Sequence, residues 1–155
     1  MRRGMDEVFE WIGKVGTAVA ALLSVVKAVD VFRKGRAKRR SEEAAVLREL
    51  LPLLPRLEEA ALARVRDWDV RVEGLQERQQ THLVDLYDEV MRHARELPKG
   101  STSGAVEEAA RICVAAGAAA REDTDKALVE HEIRAAVAQA AQAVDARVDE
   151  LRPES

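Results

Sequence analysis

Apolar residues recur at intervals of three and four along most of the chain, the helical period. No stretch alternates apolar and polar residues between turn signals, so no strand is expected. The first run is Val8, Ile12, Val15, Val19, Leu22 and Val26. With about 100° of turn per residue, these six share one face and predict an amphipathic helix over about residues 6–33. Gly13, Gly16, Thr17, Ala20, Ala21 and Ser24 lie on its other side as a strip of small residues, where a second backbone could approach closely.

A basic link containing Gly35 follows and ends at Ser41, a residue type suited to cap a short helix whose first turn holds Glu42 and Glu43. Pro52 and Pro55 each lack a backbone donor, and the chain is expected to bend there. The clearest pattern comes next: Leu57, Ala61, Val65, Trp68, Val72, Leu75, Gln79, Leu83, Leu86, Val90, Ala94 and Leu97. It predicts a long helix over about residues 56–97, a rod of roughly 60 Å, with Gly74 inside it. Residues 98–104 combine Pro98, Gly100 and Gly104 with three hydroxyls and predict a reversing loop. Two Ala-rich helices, about 105–121 and 124–151, complete the chain. The entirely polar run from Arg121 to Lys126 predicts a break between them.

These elements predict an all-α protein: an elongated helical bundle or antiparallel coiled-coil hairpin, with the long helix packed on the last two. Composition agrees, since apolar residues make up 47% and aromatics only 3%, a vocabulary of helix formers. Residues 1–40 are read as the apolar helix plus basic linker, and residues 41–155 as an acidic helical body, the two forming one structural unit.

Charge changes this picture. The formal net charge is −3, yet residues 1–40 hold ten Lys or Arg against four acids, leaving fifteen against twenty-four for the rest. A basic head on an acidic body suits anionic lipid, nucleic acid or the body of a neighbouring copy. Asp6, Glu7 and Glu10 precede the apolar stretch, which argues against a secretory signal. The uncharged run from Val15 to Val26 is short for a membrane span. Together with the lone Cys113, which cannot close an intrachain disulfide, this predicts a cytoplasmic protein, with peripheral attachment to the inner face of a membrane as the alternative.

Candidate chemistry is sparse. His82, Glu89 and His93 fall on one helical face at spacings of seven and four, but a hairpin turning near Ser101 keeps His131 away, so no metal site is expected. Cys113, between Ile112 and Val114, reads as a buried structural thiol rather than a nucleophile. Neither a phosphate-cradling glycine loop nor a Cys-x-x-Cys pair occurs. No catalytic residue, cofactor or small-molecule substrate is expected, and the chain does not read as an enzyme.

The surfaces that remain are for interaction. Trp11, Ile12, Val15, Gly16, Val19, Ala20, Leu22 and Val26 are the candidate residues for self-association, partner docking or membrane contact. Arg33, Lys34, Arg36, Lys38, Arg39 and Arg40 are the candidates for lipid headgroups or phosphate. Trp11 and Trp68 are read as core residues, although Trp11 also suits a membrane interface. The leading expectation is a noncatalytic helical scaffold or adaptor that self-associates or docks on a larger partner through its N-terminal helix. The alternative is a membrane-associating or membrane-perturbing protein. A nucleic-acid-binding accessory comes third, because no aromatics for base stacking are interleaved with the basic cluster.

Overall fold

A computed structural model describes the backbone of residues 3–152 and the side chains of residues 20–152. Among these the protein has four helices and no strand: α1 (Arg3–Arg66), α2 (Leu75–Glu96), α3 (Ser101–Ala119) and α4 (Lys126–Leu151). Two compact units divide at Arg40 and Ser41. The first holds the earlier part of α1. The second holds the remainder of α1 with α2, α3 and α4.

Within the second unit each helix contributes a seam of buried side chains. Leu47, Leu50, Leu54, Leu57, Ala61 and Val65 come from α1, and Leu83, Leu86, Val90 and Ala94 from α2. Val106, Ala109, Ala110 and Cys113 come from α3, and Ile133, Val137, Ala140 and Val144 from α4. Each fully buried leucine stabilises the fold by about 1.5–3 kcal/mol, so this shared core holds the bundle together. Helix α3 packs against both α2 and α4, whose backbones do not approach each other closely. They therefore stand diagonally.

Ion pairs fix the direction of α4 along α1. Arg66 donates two hydrogen bonds of 3.0 Å to the Glu130 carboxylate near the start of α4. Arg147, near its end, donates to Glu43 at 2.6 and 3.2 Å. The two helices are antiparallel. Arg64 meets Gln80 and Glu49 meets His93, so α2 is also antiparallel to α1, giving an up-down-up-down bundle.

The long helix expected over residues 56–97 is instead two helices, α1 ending at Arg66 and α2 beginning at Leu75. Local polar groups stop the first. The amide of Val70 donates to the carbonyl of Asp67, to which Gln76 also donates, and Gln79 donates to the Asp67 carboxylate at 2.9 Å. Gly74, expected inside a helix, is the N-cap of α2 at φ 70°, a left-handed conformation that glycine adopts without cost to a side chain. Val72, counted as seam, is 53% exposed. Trp68, counted as core, is half-buried in this loop, with Lys126 Nζ 5.9 Å from its ring centre.

Pro52 and Pro55 do not end a helix, since both lie within α1. Both prolines are exposed. Leu47, Leu50, Leu54 and Leu57 hold the backbone on the buried side. The basic link is helical too, and Ser41 caps nothing because it lies inside α1.

The remaining turns follow their sequence signals. The amide of Gly100 donates to Ser103 Oγ at 3.0 Å, and that hydroxyl donates to the Gly100 carbonyl. These contacts start α3 four residues before the expected position. The break between α3 and α4 occurs within the polar run: Thr124 Oγ1 accepts from the Arg121 amide, and Asp125 caps α4 by accepting from the Leu128 amide at 3.1 Å.

Candidate interaction surface

Because residues 33–40 continue α1, apolar and basic side chains fall into one register. Leu22, Val26, Val29, Arg33, Arg36 and Arg40 succeed one another at spacings of four and three, so a single stripe changes from aliphatic to cationic along its length. Every residue from Ala20 to Arg40 is exposed. Leu22, Val26 and Phe32 expose 65%, 63% and 72% of their surface, where a side chain in a packed core exposes almost none. Val25, Val26, Val29 and Arg33 border a shallow groove on the helix surface, with Lys27 and Asp30.

Polar groups on this segment are satisfied locally. Ser24 Oγ donates to the carbonyl of Ala20 at 2.9 Å, which keeps the hydroxyl against its own helix. Lys34 pairs with Asp30 at 2.9 Å one turn away. The other candidate cations, Arg33, Arg36, Lys38, Arg39 and Arg40, are all exposed along the same helix. Of the candidate apolar residues, Ala20, Leu22 and Val26 are exposed, while Trp11, Ile12, Val15, Gly16 and Val19 lie outside the residues whose side chains are described. Val29 extends the stripe at the same spacing, with Val25 and Phe32 beside it; all three lie within the helix expected over residues 6–33 and are exposed, yet the sequence reading stopped the stripe at Val26.

The second unit offers less. His82 and His131 are exposed, whereas His93 is buried, with its Nδ1 3.4 Å from Glu49 and its Nε2 3.4 Å from Arg92. The shared face expected for His82, Glu89 and His93 thus does not give a convergent set. Among the described residues no three His, Cys, Asp or Glu side chains come together as a metal site. Cys113 is fully buried in α3, and burial, with a smaller contribution from the Glu58 charge, pushes its thiol up to about 12. A thiol held protonated in an apolar core is a poor nucleophile.

A cleft at the α2–α3 turn is lined by Glu43, Leu97, Lys99, Thr102 and Arg147, among others. Its charged centre is already engaged: Arg147 is hydrogen-bonded to Glu43 and to Glu150, contacts that hold the guanidinium firmly protonated. Among the described residues no helix is long and apolar enough to cross a membrane. The chain matches no protein-family model, no curated protein and no solved structure.

Proposed function

We propose that the protein is a noncatalytic helical scaffold that self-associates, or docks on a larger partner, through the apolar stripe of α1. One observation carries this reading: Leu22, Leu23, Val25, Val26, Val29, Val31 and Phe32 are all exposed over little more than ten residues of one helix. Contiguous apolar surface of this kind is costly in water and marks a surface that another molecule covers. Light scattering tests it. Replacing Leu22 and Val26 together by Glu should lower the mass of the assembly while leaving the melting of the bundle unchanged, because neither residue belongs to its core. An unchanged mass would remove the stripe from the interface.

A second reading, attachment to an anionic membrane surface, is favoured by the cations Arg33, Arg36 and Arg40 that follow the stripe. Sedimentation with anionic but not neutral vesicles, weakened by Arg39→Glu with Arg40→Glu and by salt, would support it. Failure to sediment with either at low salt would leave the scaffold reading alone.

A further inference from the structure

We infer that residues 20–40 enter an anionic bilayer steeply, with the apolar turns from Ala20 to Phe32 surrounded by lipid chains and the cations of residues 33–40 held among the phosphates of the headgroup layer. The inference rests on the membrane reading above and adds the depth and direction of the helix.

Exposure on every side of α1 carries it. At about 100° per residue, Leu22 and Val31 stand on opposite sides of the helix, and Leu23 and Phe32 occupy the two sides between them. All four expose more than half of their surface. A helix lying flat in an interface buries one face and keeps the opposite face polar and wet, which would leave Leu23 and Val31 in water. A helix that is apolar all round needs surroundings that are apolar all round.

The few polar groups in these turns are largely served from within the helix. Ser24 Oγ donates to the carbonyl of Ala20, and the Asp30 carboxylate is paired with Lys34 among the cations that follow. Lys27 opposes entry, although its four-carbon stem can lie along apolar surroundings while the ammonium stays with polar ones.

The cations are distributed all round as well. Arg33, Lys34, Arg36, Lys38, Arg39 and Arg40 leave no gap wider than about 100° around the axis, and no acid lies among them. A single protein face would meet this ring on one side and leave the other cations unused. Nucleic acid would meet the cations but offer nothing to the apolar turns beside them. A bilayer stacks an anionic layer on an apolar one, in the order in which the helix presents its own two rings. Residues 20–32 rise about 20 Å against about 30 Å of hydrocarbon, so by themselves they enter the bilayer without crossing it.

An environment-sensitive dye on a single introduced cysteine of the full chain tests the depth. Native Cys113 is buried, so the unaltered protein treated with the dye serves as the control. Leu22→Cys, Leu23→Cys, Val31→Cys and Phe32→Cys place the probe on the four sides in turn. With vesicles containing phosphatidylserine at low salt, all four should brighten several-fold and shift to shorter wavelength, and with phosphatidylcholine alone they should change little. Brightening at Leu22 and Phe32 but not at Leu23 and Val31 would mean that the helix lies flat, which overturns the inference and leaves membrane attachment intact. Equal brightening with neutral vesicles would overturn the anionic headgroup as the ligand of the cations. Probes already bright in buffer and unchanged by vesicles would place protein around the helix and overturn both the inference and the membrane reading. Probes dim in buffer and unchanged by either vesicle would overturn both as well.

Discussion

Gly117 lies where α3 closely approaches side chains of α1 and α2. A Cβ built there would lie 2.5 Å from Leu83 Cδ2 and 3.3 Å from Arg64 Cγ, and Leu83 is fully buried, so it has little room to yield. Two effects oppose each other in Gly117→Ala. Alanine gains about 1 kcal/mol of helix propensity, and overpacking a close contact costs about 1–3 kcal/mol. The contact should win, and denaturant unfolding should show a net loss of about 1 kcal/mol. A stabilised variant would mean that α2 and α3 separate easily at this point.

The same scale separates two leucines that one periodic pattern treats alike. Leu86 is 2% exposed, whereas Leu75, at the first turn of α2 beside the interhelix loop, is half-buried. Leu86→Ala should therefore cost about 2–5 kcal/mol, and Leu75→Ala no more than about half of that. Equal losses in denaturant titrations would contradict the interruption of the seam at residues 67–74.

Among elements, the attachment of α4 to α1 carries a pH dependence. The hydrogen bonds from Arg66 lower the Glu130 carboxyl below its ordinary 4.5. A group lowered in the folded state stabilises it above the unfolded value, and that contribution disappears as pH falls through the folded value. The pair thus supports the bundle at neutral pH and stops doing so on acidification below about 4.5. Arg66, raised by the same contact, stays charged throughout this window and does not move it. Glu130→Gln should accordingly lower the melting temperature at pH 7 and converge on the unaltered protein near pH 3. A constant difference between the two across that range would show that the pair contributes nothing through charge.

The helical class and much of the seams of α2 and α4 were legible in the sequence because burial imposes a period on residue type, as Leu83 to Ala94 and Ile133 to Val144 show. The polar break at residues 120–125 was legible for the same reason. The break at Asp67–Gly74 was not. Val72 and Leu75 keep the helical spacing through it, and what ends α1 is a set of hydrogen bonds to Asp67 from residues of the following helix. Proline signals misled in the opposite direction: Pro52 and Pro55 can remain in α1 because their faces are exposed, a fact of tertiary packing. The register of Arg33, Arg36 and Arg40 with the apolar stripe was hidden by Gly35, which reads as a linker residue and lies inside a helix.

At the scale of the whole molecule the chain divides by task. Among the residues whose side chains are described, the buried core comes from residues 41–151, and the earlier part of α1 supplies the exposed apolar stripe and the cations that follow it. The two tasks should separate on truncation. Light scattering on the full chain and on a chain beginning at Ser41, at the same concentration, is the most direct test. The full chain should have a mass of two or more copies, and the shortened chain should be a monomer with the same thermal transition. A full chain that is monomeric at tens of micromolar, or a shortened chain that assembles as well as the full one, would contradict this division of the chain.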